Sequence, residues 1–280
     1  MKVNHSLKKK LLSCIFSFML SLSFTTLFVL IGLQLSVFND RLILDKINES
    51  GYYYEVQKEL DNSASSIIMN AGMPTELLYG VITLERVYLD GRTYMEEALA
   101  DKTAVPDTEK LTKVLKQNIE EYLNRNSIHR TEELDAGIDA LISSVKQEYK
   151  RVIEFRFIRY LGEYKVYYRN IMIKAFPIAL CLVIFLSGIL IRMHRYRHRG
   201  VRYITYALTA SSLSIGGLAC YLLITKAADR RIGTPDYYHR FLSSYLRGNL
   251  QVFLYLSGFG ILLSIFLIIL TGYLKKQYAD

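Results

Sequence analysis

Hydrophobic and polar positions are arranged in two different ways along this chain, and the change from one to the other divides it. Four stretches contain no Asp, Glu, Lys or Arg: Leu11 to Asn39, Ala175 to Ile191, Tyr203 to Thr225 and Gly248 to Leu274. A helix needs about 20 apolar residues to cross a bilayer core. The second stretch is the shortest, but Ile171, Met172 and Ile173 extend it past Lys174, whose long side chain can reach the headgroups. In hydrocarbon every backbone polar group must be satisfied within the segment, which uninterrupted runs of this length do as helices and not as barrel strands. The pattern predicts four transmembrane helices, at residues 11–38, 171–192, 203–225 and 248–274.

Between the first and second spans, residues 39–170 follow the amphipathic period, and their punctuation predicts four helical pieces. The first runs from Asp40 to Asn70, directly out of span one, with Gly51 as a weak point; Gly72 and Pro74 end it. Thr75 is placed to cap a second helix through Leu99, with Glu76 in its first turn. Pro106 and Asp107 open a third, in which Leu111, Val114, Leu115, Ile119, Tyr122 and Leu123 recur at three- and four-residue spacing opposite a charged face. Thr131 caps the last, with Leu134, Ile138, Leu141, Val145, Tyr149 and Val152 on its apolar face. If that helix continues unbroken into span two, its soluble part is a stalk of about 60 Å. The expected fold is all-α: a four-transmembrane-helix bundle with an antiparallel helical extracytoplasmic domain inserted between the first two spans.

Charge gives this arrangement a direction. The segment 1–10 carries Lys2, Lys8, Lys9 and Lys10, and the loop 193–202 carries Arg195, Arg197, Arg199 and Arg202 with Arg192 at its border; neither holds an acid. Lys275 and Lys276 lie in the final segment, 275–280. Lys and Arg concentrate in cytoplasmic loops, so both termini are expected inside a plasma membrane and residues 39–170 outside. That segment has 18 Lys and Arg against 23 Asp and Glu, a net of −5, which leaves +14 on the rest of a chain whose total is +9. The basic balance is therefore a topology signal, and no nucleic-acid partner is expected, because the one sizeable polar domain lacks a basic surface. The loop 226–247 strains the rule, since it would be outside with Lys226, Arg230, Arg231, Arg240 and Arg247 against only Asp229 and Asp236.

Candidate chemistry is sparse. The first apolar run is nearly twice the length of a cleavable signal core, which reads as an uncleaved anchor. Leu11-Leu12-Ser13-Cys14 precedes that run instead of following it, so no lipid is expected on Cys14. Cys14, Cys181 and Cys220 all fall in spans and read as small packing residues. Glu120-Glu121-Tyr122-Leu123-Asn124-Arg125 matches the EExxxR pattern of a family of intramembrane proteases, but on a charged helix it reads as i,i+4 pairing. The histidines, at positions 5, 129, 194, 198 and 239, are too scattered for zinc. No catalytic, cofactor-binding or metal-binding residue is assigned, and no cofactor is expected.

Two features remain. After span three, Thr234 and Pro235 begin a short helix with Tyr237, Tyr238, Phe241, Leu242 and Tyr245 on one side. Expected at the outer interface, it makes Arg230, Arg231, Tyr237, Tyr238, His239 and Arg240 a candidate interfacial or ligand cluster, facing headgroup phosphates or the acidic domain. Within the spans, Ser13, Ser17, Ser21 and Thr25 at four-residue intervals, and Gly216 and Gly217 beside Ser211, Ser212 and Ser214, are candidate helix-packing residues.

One span, a large exported domain and then three spans is a layout that resembles the cell-division permease-like subunits that pair with an ATPase and control peptidoglycan hydrolases. The resemblance covers topology over most of the chain and no motif, and it implies an ATPase partner. The chain departs from it in its ten-residue first segment and in the short Arg192 to Arg202 loop. The expected function is non-enzymatic: an exported helical domain that engages a protein or envelope component, on a bundle that serves as anchor or complex subunit. The expected partners are the lipid bilayer and another protein or a second copy. A permease-like subunit and a sensor signalling laterally through its spans are the alternatives.

Overall fold

The computed structural model describes residues 2–103, 105–194, 196–230 and 236–277. Among them are nine α-helices: α1 Lys2–Leu35, α2 Asp40–Glu49, α3 Tyr52–Asn70, α4 Leu84–Leu99, α5 Glu109–Arg125, α6 Glu132–Ile153, α7 Arg156–Met193, α8 Arg197–Ile224 and α9 Asp236–Gln277. Four of them, α1, α7, α8 and α9, are long and apolar enough to cross a membrane, with mean hydropathy from 1.7 to 2.5 in their apolar windows. The chain falls into two compact units. A span unit comprises Met1–Ile43, Tyr167–Ile232 and Leu242–Asp280; an inserted unit comprises Leu44–Val166 and Gly233–Phe241.

In the span unit, α1 packs along α8. The Ser17 hydroxyl donates to the Tyr203 carbonyl at 2.9 Å, Leu20 meets Ala207, Leu186 and Leu190, and Phe28 meets Leu208 and Ile215. Pairing 17 with 203 and 28 with 215 makes α1 and α8 run in the same direction. Helix α9 runs counter to both, with Phe253 against Gly32, Gly260 against Ser212, and the Tyr245 hydroxyl donating to the Val37 carbonyl at 2.7 Å. Tyr168 of α7 donates to the Leu30 carbonyl and stacks on Phe38 at 4.3 Å. Only 17 to 33% of each apolar window is buried, so most of this apolar surface faces outward, the reverse of a water-soluble core and the arrangement of a membrane protein.

The inserted unit is built the other way round. Val56, Leu60, Ala64 and Ile68 of α3 are buried at four-residue spacing, as are Leu111, Leu115, Ile119 and Leu123 of α5, and Ile138, Leu141, Val145, Tyr149 and Val152 of α6 are buried at three- and four-residue spacing. Thr131 caps α6 by accepting from the Leu134 N–H at 3.2 Å, and Asp107 accepts from the Glu109 N–H at 2.9 Å where α5 begins.

Three boundaries differ from the predicted pieces. The first piece does not run on from span one: α1 ends at Leu35, α2 begins at Asp40, and Gly51, at φ +66°, separates α2 from α3. The second starts at Leu84, not at Thr75. Thr75–Leu78 is a 3-10 turn, Gly80 sits at φ +70°, and Thr83 is the cap, accepting from the Arg86 N–H at 3.3 Å. That turn is held by Asn118 of α5, which donates to the Leu77 and Tyr79 carbonyls at 2.8 and 2.9 Å, a tertiary contact that no local signal announces. The stalk is also interrupted. α6 stops at Ile153, Glu154 is extended, and Phe155 turns inward before α7 begins at Arg156.

Candidate functional site

The helix predicted after span three is the first part of α9, with no break between it and span four. Of its described rings, Phe241 and Tyr245 are buried and Tyr238 is half-buried. Tyr238 stacks on Phe155 at 4.3 Å with 4° between the planes and lies 6.0 Å from Tyr52. Phe241 is fully buried, edge-on to Phe155 at 5.5 Å and to Tyr52 at 6.2 Å. Tyr52 and Phe155 themselves stack at 5.6 Å. Offset and edge-on pairs of this kind are favoured by the ring quadrupole over and above their area. Three distant stretches of chain thus close one aromatic cluster within the inserted unit, and the break at Glu154 is what aims Phe155 into it.

The candidate cluster is not gathered at one place. Arg240 pairs with Glu55 at 3.0 Å in the inserted unit, and His239 is half-buried there. Arg230 is exposed and belongs to the span unit, next to Asp229, whose carboxylate accepts from Arg247 and Ser243. The Arg247 guanidinium, with the Ser243 hydroxyl, holds that carboxyl below its usual range. Arg231 and the Tyr237 side chain lie outside the described residues. Two of the cations that strain the outer loop, Arg240 and Arg247, therefore have acidic partners.

Among the packing candidates, Ser17 bonds across to another helix, whereas buried Ser13 bonds to the Lys9 carbonyl at 2.8 Å and Thr25 to that of Ser21 at 2.9 Å, within α1. A Cβ on Gly216 would lie 2.2 Å from the Ser257 hydroxyl, and one on Gly260 2.2 Å from that of Ser212. Ser257 also donates to the Ser212 carbonyl at 2.8 Å. Each serine fills the notch of the opposing glycine, an interlocked seam between α8 and α9. Ser257 and Gly260 were not singled out from the sequence, although Ser257, Gly260 and Ser264 repeat the small-residue spacing that marked the other spans. Gly217 is exposed, with nothing within 4 Å of an added Cβ.

The remaining motifs stay apart. Arg125 reaches Glu121 at 3.5 Å, the i,i+4 pair, and Arg130 reaches Glu120 at 3.6 Å. His194 bonds the Leu190 carbonyl at 3.0 Å and stacks on Tyr203. Among the described residues no group of three or more His, Cys, Asp or Glu could hold a metal ion.

The inserted unit adds two features that the sequence did not single out. Fully buried Tyr149 donates to Asp90 at 2.6 Å; burial pushes the Asp90 carboxyl up, the Tyr149 bond opposes this, and burial likewise raises the Tyr149 phenol. There are also open grooves. One, of about 640 Å³, is lined by Asn48, Tyr53, Tyr54, Leu84, Glu85 and Tyr88, with Tyr54 and Leu84 exposed. A second, of about 410 Å³, runs between Tyr79 and Tyr122, and Tyr79 is 88% exposed.

No protein-family model, curated protein sequence or solved structure matches the chain, so its functional reading rests on its own residues.

Proposed function

We propose that this is a non-enzymatic multi-pass protein of the plasma membrane, with both ends of the chain cytoplasmic. Its inserted helical unit is exported and engages another protein or an envelope component, and the span unit serves as anchor or as subunit of a larger complex. The observation that carries the reading is the tyrosine groove: the unit has a complete core of its own, yet it leaves Tyr54 and Leu84 exposed beside Tyr88. Aromatic rings are the residues in which interface energy concentrates. The orientation is supported by the pairing of Arg240 with Glu55 and of Arg247 with Asp229, which reduces the unbalanced charge of the loop that strained it.

A photo-crosslinking residue in place of Tyr54 or Tyr88, in the full chain expressed in cells, should trap a discrete heavier species. One in place of exposed Lys146 should not. A monomer in mild detergent that yields no adduct from either tyrosine position would overturn the proposal. In a background with Ser in place of the three native cysteines, Ser127→Cys and Ser243→Cys should label from outside intact cells and His198→Cys should not. Outside labelling at position 198 would invert the orientation.

A sensor that passes a change in the inserted unit laterally to a partner is a second reading, favoured by one element. The first turns of α9, with Tyr238, Arg240 and Phe241, belong to the inserted unit, and the same helix continues without a break as a span.

A further inference from the structure

In the span unit, cations collect where three helices end. Arg192 is in the last turn of α7, Arg197, Arg199 and Arg202 open α8, and Lys275 and Lys276 are in the last turn of α9. Helix α9 runs counter to α8, with Gly260 against Ser212 and Leu267 packed on the cluster that holds Leu208, and this register carries the last turn of α9 to the start of α8. No described acid of this unit lies beside them. Among the described residues the unit's acids are Asp40 and Asp229; Asp229 is held by Arg247, and Asp40 lies past the far end of α1, a helix about 51 Å long.

Such a cluster is unfavourable on its own, because like charges repel and cations in the first turn of α8 oppose its dipole. It is nevertheless held in place. A Cβ on Gly200 would lie 2.7 Å from the Leu190 carbonyl oxygen and the Ile191 Cα, so the start of α8 rests directly on the end of α7. Arg199 lies 5.5 Å over the Tyr196 ring, and that ring stacks on His198 at 5.6 Å. Fixed cations with no acid beside them among the described residues invite an anion from outside the chain. Guanidinium forks match phosphate oxygens, and the ends of spans lie at the depth where lipid phosphates are found.

We propose that Arg199, Arg202 and Lys275 form a seat for the phosphate of an anionic phospholipid headgroup. The inference is independent of what the inserted unit binds and of which way the chain faces.

The test uses the full chain reconstituted in bilayers of equal phosphatidylcholine and phosphatidylglycerol, then extracted, with the retained lipid measured by native mass spectrometry. Wild type should retain phosphatidylglycerol over phosphatidylcholine by about tenfold or more. R199Q/R202Q/K275Q should fall to near parity, while K110Q/K113Q/K116Q, which removes the same charge from the exposed face of α5 in the inserted unit, should stay within about twofold of wild type. R199K/R202K keeps the charge and guards against misfolding, and it should still lose preference because lysine lacks the bidentate fork. No preference in wild type, equal loss in the two glutamine triples, or full retention in the lysine variant would overturn the seat. So would displacement of the lipid by millimolar inorganic phosphate, which would assign the site to a soluble anion.

Discussion

Leu115 of α5 is wholly buried, whereas Leu262 of α9 is 66% exposed, yet each is an apolar residue on a helix with a well-made neighbour. In the inserted unit, water drives large side chains together, and α3, α5 and α6 meet through stripes of Leu, Ile and Val. In the span unit, no such force acts between helices, because lipid solvates leucine as well as another helix does. There the close contacts fall to small residues: Ser17 on Tyr203, and the interlock of Ser212 and Gly216 with Ser257 and Gly260. The same amino acid is thus structural in one unit and solvent-facing in the other, and hydrophobicity alone does not identify the contacts.

The difference can be broken most severely at the aromatic cluster. Phe241→Ala should destabilise the inserted unit by about 3–5 kcal/mol. Hydrogen exchange should show α3 and α6 losing protection while α8 keeps it; equal loss in α8 would mean that the units do not unfold separately. Leu115→Ala should follow at about 2–5 kcal/mol in denaturant unfolding, against less than about 0.5 kcal/mol for Leu262→Ala. Similar values for the two leucines would remove the contrast drawn above.

Gly216→Ala should lower the melting temperature in detergent, at about 1–3 kcal/mol for an overpacked contact, and Ser257→Gly in the same chain should restore part of the loss. Strict additivity of the two changes would argue against the interlock. Thr131→Ala removes a cap and should reduce stability by about 1 kcal/mol, leaving the span unit unchanged.

The smallest effect concerns Asp90. Burial raises its carboxyl, as does Asp107, against the Tyr149 bond and the charges of Arg86 and Lys110. A raised acid contributes stability that is complete below the unfolded value of about 3.9 and is lost as pH rises through the folded value. Asp90→Asn stays neutral and can still accept from Tyr149, so relative to wild type it should melt higher at pH 7 than at pH 4. A difference that does not change between the two pH values would show that ionised Asp90 carries no such penalty.

Much of this was legible in the residues. The four charge-free runs are the four long apolar helices; Thr131 caps α6 and Asp107 bonds the first turn of α5 where it opens; and most of the stripes read on α5 and α6 are buried, with Val114, Tyr122 and Leu134 half-buried. The candidate site was much less legible. Tyr238 and Phe241 signalled an aromatic face, but their partners, Tyr52 and Phe155, lie far away in sequence, and nothing local distinguishes a ring destined for another ring from one destined for headgroups. The break at Glu154 carries no Gly or Pro, and the turn that stands where α4 was expected to begin is held by Asn118 on another helix.

The sequence by itself determined which segments are apolar throughout and which are amphipathic, because periodicity and charge are local properties that set what each helix can be immersed in. Only the tertiary structure decided which faces meet. Ring stacking, serine in glycine notches, Arg240 on Glu55 and the gathering of Arg199, Arg202 and Lys275 join residues tens to hundreds of positions apart. Contacts of that kind depend on packing geometry, which one chain's pattern does not encode residue by residue.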